Sequence, residues 1–295
     1  MRHNKILAAL WVAIALILTA VLAGGLARQG NRGGSIKRLS DWNGIDDDWL
    51  DSDDGFSDDD GTPLSGEAFA LEGIKGVEVD LNSLAVEITE STDGLFHVDF
   101  TSGAKRRCSI RNSGGRLRIS EKKQRFPNVT SMLGGAVLIR IPSRYNGAVG
   151  VDSVSGAAKA SGLSLGSLDI ESVSGSASIT DCKISVLDVE TVSGSIRADG
   201  DFGRLDVESV SGSIKITARS PLKGESSVES VSGSVALKMP ADSGYTLRWS
   251  TVSGSFSDEI TGAGGGKRGT ATNADGSARI SVETMSGAIK VSATD

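Results

Sequence analysis

Val189-Glu190-Thr191-Val192-Ser193-Gly194-Ser195-Ile196 contains one of seven copies of a short phrase in this chain. The phrase Glu-Ser/Thr-Val-Ser-Gly-Ser stands around Gly175, Gly194, Gly212 and Gly233. Looser copies are Asp152-Ser153-Val154-Ser155-Gly156-Ala157, Ser250-Thr251-Val252-Ser253-Gly254-Ser255 and Glu283-Thr284-Met285-Ser286-Gly287-Ala288. The glycines are spaced by 19, 19, 18, 21, 21 and 33 residues. A period near 20 predicts a solenoid, in which each repeat is one coil and neighbouring coils bury one another.

With the repeat glycine as zero, the columns read as follows. At minus seven stand Val149, Leu168, Leu187, Leu205, Ser226, Leu247 and Ile280. At minus five stand Val151, Ile170, Val189, Val207, Val228, Trp249 and Val282. These two columns share one face of a strand, because side chains alternate with period two. A second face takes minus two (Val154, Val173, Val192, Val210, Val231, Val252, Met285), the glycine, plus two and plus four. The phase slips near the Glu-Ser pair, which places a corner there. The expectation is an all-β, single-stranded parallel β-solenoid (a β-helix, right-handed), with an aliphatic core. Aromatics are only 4% of the chain. The glycines Gly156, Gly175, Gly194, Gly212, Gly233, Gly254 and Gly287 are structural, at positions where a side chain would crowd the next coil.

Outward columns are regular too. Glu171, Glu190, Glu208 and Glu229 lie four residues before the glycine, and Lys159, Arg197, Lys215 and Lys290 three after it. This reads as a solvated face, or as a cation- or glycan-binding stripe. Ser174, Ser193, Ser211 and Ser232 precede the glycines and form a row of hydroxyls able to bond sugars or water. With the four glutamates they are the candidate binding face.

Residues 6–27 carry no charge. That is long enough for a membrane-spanning helix, with a cleaved signal peptide as the rival. Residues 1–5 would then be cytoplasmic, and the large domain outside the cell. The basic residues Arg28, Arg32, Lys37 and Arg38 beyond the span lean against that orientation. Between Asp41 and Asp60 ten of twenty residues are Asp, so residues 28–66 read as a linker held extended by its charge. The alternative is a calcium-binding strip, although Asp51, Asp53, Asp54 and Gly55 miss the usual calcium-loop spacing. Residues 67–295 form the solenoid domain, its first part degenerate coils that cap the core. Residues 261–269, rich in glycine, read as an excursion from one coil.

No catalytic set, cofactor motif or metal cluster can be assembled. His97 stands alone on a strand. Cys108 and Cys182 read as free, partly buried thiols. A net charge of −6 argues against nucleic acid. Asp258 and Glu259, where a coil departs from the pattern, are the only carboxylates a polysaccharide lyase or hydrolase could use.

The Val-Ser-Gly-Ser-Ile phrase, the strand Ile139-Arg140-Ile141-Pro142, and Val282-Glu283-Thr284-Met285-Ser286-Gly287-Ala288-Ile289-Lys290-Val291 resemble a bacterial β-strand-repeat family of "putative adhesins" of unknown function. The family includes LiaG-like envelope proteins. The resemblance covers about residues 70–295. It implies a β-solenoid at the cell envelope without catalytic residues. The expected partners are a cell-wall polymer, glycan or surface protein, and the membrane through the N-terminal helix. Open solenoid ends also allow end-to-end self-association. A self-assembling envelope-stress scaffold is the further alternative.

Overall fold

The computed structural model describes residues 64–101, 103–122 and 135–294. These residues are all-β and solenoid-like, with twenty strands in one curled sheet and, among the described residues, one 3-10 turn at Lys105–Arg107. The expected span at 6–27 and linker at 28–66 lie outside the described residues, save that strand β1 begins at Leu64. Among the described residues no helix is long and apolar enough to cross a membrane.

Each repeat contributes two strands joined at the phrase, so two ladders run side by side. The leading ladder holds the strands before each glycine. In spatial order they are β5 (Cys108–Ser113), β6 (Arg116–Glu121), β2 (Gly76–Leu81), β8 (Ala148–Ser153) and β10 (Ser164–Ser172). Then follow the second halves of β11 (Ala177–Thr191) and β12 (Ile196–Ser209), β14 (Glu225–Ser230), β19 (Ala278–Thr284), β16 (Tyr245–Thr251) and β18 (Arg268–Asn273).

The trailing ladder holds the strands after the glycines. It runs β1 (Leu64–Phe69), β4 (Phe96–Phe100), β7 (Ala136–Pro142), β3 (Ala85–Ser91) and β9 (Ala158–Ser161). It continues through the first halves of β11 and β12, β13 (Ile214–Ala218), β15 (Val235–Met239), β20 (Ile289–Ala293) and β17 (Phe256–Asp258). Pairing is parallel except near the ends, where β5, β4, β1 and β18 pair antiparallel. Strands β5, β1 and β18 form three of the four outermost edges, and the fourth, β17, pairs parallel and meets the excursion through a single Ser257–Gly264 bridge.

The aliphatic columns lie inside as expected. Leu168, Leu187, Leu205, Val189, Val207 and Val228 are fully buried, and each such side chain contributes roughly 1.5–3 kcal/mol on burial. Two expectations need correction. The valines at minus two are not inside: they are half-buried, and Val252 is 51% exposed. The residues at minus three are inside instead: Ser153, Ser172, Thr191, Ser209, Ser230, Thr251 and Thr284. The phase therefore slips just after the Glu-Ser pair, within Val-Ser. The physical reason is a hydrogen bond: Thr191 Oγ1 accepts from Gly194 N–H at 2.9 Å, and Ser209 Oγ from Gly212 N–H at 2.9 Å. The corner turns around this buried side-chain oxygen, which satisfies a backbone donor that the bend would otherwise orphan.

The second correction concerns the order of the coils. Sequence neighbours stack from Gly156 to Gly233, but not beyond. The Gly287 coil (β19, β20) lies on the Gly233 coil (β14, β15), and the Gly254 coil (β16, β17) lies outside it. The 33-residue interval therefore encloses the end cap: the excursion at 261–269 leads into β18, and the chain then turns back inside. At the other end β2 and β3, the first coil, lie between β8–β9 and the outer pair β6–β7.

The glycine column shows how tightly coils approach. A Cβ on Gly194 would lie 1.8 Å from the Gly175 carbonyl oxygen, and one on Gly254 1.8 Å from that of Gly287. Neither glycine has a positive φ, so the requirement is room, not conformational freedom.

Candidate binding face

The predicted serine row is exposed, as expected, but its hydroxyls have a task inside the fold. Ser174 Oγ donates to the Val154 carbonyl at 3.3 Å, Ser193 Oγ to Val173 at 3.2 Å, Ser211 Oγ to Val192 at 3.2 Å, and Ser232 Oγ to Val210 at 3.5 Å. Each serine stitches its corner to the coil beside it. Its proton is committed, so it offers a ligand lone pairs and no donor.

The structure brings the predicted glutamates together. Glu171, Glu190 and Glu208 are successive register partners, and Glu208 pairs with Glu229. Asp152 extends the row on one side and Glu283 on the other. Strand spacing sets these neighbours about 4.8 Å apart. The sequence reading missed a second row two residues earlier, Asp169, Asp188 and Asp206, which also stand in register. The same column count that found the glutamates would have found it.

These acids are half-buried instead of fully solvated, because each is walled by its copies above and below. Burial, then the charges of Glu171, Glu208, Asp188 and Asp169, push the Glu190 carboxyl up to about 8. Burial, then Glu229 and Asp206, push Glu208 up to about 7. Burial and Glu283 also raise Glu229. Near neutral pH the row thus holds both carboxylic acids and carboxylates. It can donate as well as accept, which the serine row cannot.

One basic residue joins these rows, Arg204, whose Nη2 donates to Asp206 at 3.4 Å; others lie elsewhere. Lys159, Arg197 and Lys215 stand exposed on the trailing ladder, and Lys290 Nζ pairs with Glu259 at 2.7 Å. On the leading ladder, arginines gather at the ends. Arg116 binds Glu78 at 3.1 Å and Arg118 binds it at 2.5 Å on β6–β2, while Arg248 lies on β16 at the opposite end.

Asp258 is a buried structural residue, not an acid poised for hydrolysis. Its oxygens accept from Tyr245 Oη at 3.0 Å, Ile260 N–H at 2.9 Å, Thr261 N–H at 3.3 Å and Thr261 Oγ1 at 2.7 Å. It orders the turn that follows β17. Cys108 and Cys182 are free and buried. Burial pushes the Cys108 thiol up to about 12 and raises that of Cys182, so neither presents a thiolate. His97 is not alone: its Nε2 meets Asp93 at 2.7 Å. Among the described residues no group of His, Cys, Asp and Glu could hold a metal ion.

One residue that sequence reasoning missed is Glu121. The first coil has no Ser/Thr-Val-Ser-Gly phrase, and Glu121 of β6 fills its corner. It accepts from the N–H groups of Asn82 at 2.8 Å, Ser83 at 2.9 Å and Leu84 at 3.3 Å, and it pairs with Arg107. Burial pulls its carboxyl upward, but the Ser83 and Asn82 amides and Arg107 outweigh that and hold it below the usual range. No motif marks it, since the backbone N–H groups it caps lie nearly forty residues away.

Tandem β-corners, in-register acidic and hydroxyl rows and antiparallel end caps define a repeat protein with a solenoid-like β-fold. The chain belongs to the Toastrack DUF4097 family, whose model matches residues 74–217 and again 148–292. The family resemblance expected from the repeats is thus met. No functionally curated protein matches the chain. A solved "putative adhesin" from Bacteroides fragilis is similar at 13% identity and a TM-score of 0.47, covering 78% of this chain and 97% of that one. A "putative cell adhesion protein" from Clostridium sporogenes is similar at 14% identity and 0.40, covering 79% and 100%. A "putative lipid binding protein" from Parabacteroides distasonis is similar at 15% identity and 0.43, covering 79% and 97%.

Proposed function

We propose that this chain is a non-enzymatic protein of the cell envelope. Residues 6–27 tether it as a single membrane span, and a right-handed parallel β-solenoid stands outside the cell. Its repetitive face meets a wall polymer, glycan or surface protein. One observation carries this reading: the same outward chemistry recurs at every strand spacing. Glu171, Glu190, Glu208 and Glu229 lie in one register row, beside exposed Ser174, Ser193, Ser211 and Ser232. A partner with its own repeat meets equivalent groups at each step. Contacts that are weak singly then sum through effective concentration. The mixture of carboxylic acid and carboxylate suits a hydroxyl-rich polymer, which both donates and accepts. Both carboxylates of the hydrolytic reading are engaged elsewhere, Asp258 in the turn after β17 and Glu259 with Lys290, which favours the non-enzymatic reading.

Two measurements test this. Purified residues 64–295, which keep strand β1 whole, are incubated with fractionated envelope material. Retention by a wall or surface fraction, weakened in a variant with Glu190 and Glu208 both changed to Gln, supports the reading. Absence from every fraction overturns it. Protease digestion of a C-terminal tag on intact cells tests the topology separately: protection until lysis would put the coils inside.

A further inference from the structure

The Gly287 coil occupies a slot that sequence order does not assign to it. Its strands β19 and β20 lie between β14–β15 on one side and β16–β17 on the other. Both walls precede it in the chain. Both walls are also copies of the same repeat. Val228 and Trp249 both pair with Val282, Ser230 and Thr251 with Thr284, and Val235 and Phe256 with Ile289. Any strand pair carrying the phrase therefore fits the slot in register, whichever chain supplies it.

The inserted coil is also the one with an incomplete corner. In the six other repeats the Ser or Thr oxygen at minus three accepts from the glycine N–H, at 2.8–3.0 Å. Thr284 Oγ1 is buried without a hydrogen-bond partner. A buried hydroxyl left unpaired carries its desolvation cost, so this coil is held less well at its corner than its neighbours. It is joined to the cap by residues 274–277, where Ala274 has φ 48° and Gly276 φ 63°. A left-handed alanine is strained, and short strained connections favour exchange of the element they tether.

We propose that β19–β20 is a transferable strand pair, and that a second copy of this chain inserts its own pair into the slot to give a strand-exchanged dimer. The partner is a second copy because only the repeat phrase matches both walls at once. End-to-end stacking is a poorer route, because antiparallel strands form three of the four ladder ends and both ends carry arginine: Arg111, Arg116 and Arg118 at one, Arg248 and Arg268 at the other.

The test uses the full chain. Ala236 and Lys290 are register partners on the outward face of β15 and β20. Ala236→Cys and Lys290→Cys are made in separate chains, mixed, unfolded in urea, refolded together and oxidised. A covalent heterodimer is expected, at least several-fold above the yield from either variant alone. Gly276→Val, which strains the connection further, is expected to raise the dimer fraction of the otherwise unaltered chain several-fold in light scattering. The proposal is overturned if the mixture stays monomeric and Gly276→Val leaves the monomer fraction unchanged. A dimer in scattering without the 236–290 disulfide would overturn it too, because that marks contact through another surface.

Discussion

The middle of the stack and its two ends solve the same packing problem differently. From Gly156 to Gly233 each coil rests on its sequence neighbour, is held by a repeated serine or threonine, and fills its interior mostly with aliphatic side chains. At the ends the order is broken and aromatic pairs appear. Phe96 meets Tyr145 edge-on at 5.0 Å, and Trp249 stacks on Phe256 at 3.9 Å. The N-terminal corner uses a carboxylate where the middle uses a hydroxyl. Repetition is thus enough where each coil has an identical neighbour on both sides. A terminal coil has one open side, and it needs larger apolar groups, antiparallel edges and bespoke polar contacts to close it.

The largest effect should come from the bespoke contact. Glu121→Ala removes the shared acceptor of three backbone N–H groups and one of the partners of Arg107, which keeps its bond to Ser83 Oγ, and is expected to cost about 3–5 kcal/mol in urea unfolding. A loss under about 1 kcal/mol would mean that this corner tolerates water. Next come the glycines. Gly194→Ala places a methyl against the Gly175 carbonyl with coils pressed from both sides, at about 3 kcal/mol. Gly254→Ala makes an equal clash on paper, but the outermost coil has freedom to lift, so about half that cost is expected. Equal costs would show the cap to be as rigid as the middle.

The threonines sharpen the contrast. Thr191→Val removes the acceptor for Gly194 N–H and should cost about 1–3 kcal/mol. Thr284→Val removes a hydroxyl that bonds nothing, and should be neutral or stabilising by about 1 kcal/mol. Thermal melts of the pair decide it, and similar losses would mean Thr284 has a role in the corner after all.

The smallest effect is electrostatic. The folded-state carboxyls of Glu190 and Glu208 lie above their unfolded value, near 8 and 7. The folded chain therefore holds protons that the unfolded chain releases. The stability they contribute is complete below the unfolded value and is lost as pH rises through about 7 to 8. Melting temperature should fall between pH 5 and pH 9, and Glu190→Gln should flatten that slope by about 1 kcal/mol after discounting for solvent screening. A melting temperature that rises over this range would contradict the half-buried row.

The same division explains what could be read in advance. The period, the aliphatic columns, the crowded glycines and the glutamate row were legible because each follows from spacing alone. The corner was misread because hydrophobicity favours valine over serine inside, whereas the bend needs an oxygen beside the glycine N–H. Coil order was not legible for a deeper reason. When repeats are nearly identical, any coil can rest on any other, and the order is set by connections and caps that carry no repeat. Glu121 is hidden for the same cause, since it acts across nearly forty residues on a corner that lacks the phrase.

The out-of-order coil also bears on how the molecule is made. During translation both walls of the slot leave the ribosome before β19 and β20 exist. Until those strands arrive, β14 and β15 can pair with β16 and β17 directly, since the walls share a register. The nascent chain thus has a shorter, closed arrangement open to it, and a chain that adopts it must reopen it by one strand spacing to admit its final coil. Maturation of this domain should therefore show a late, slow step that no single coil in the middle of the stack would require.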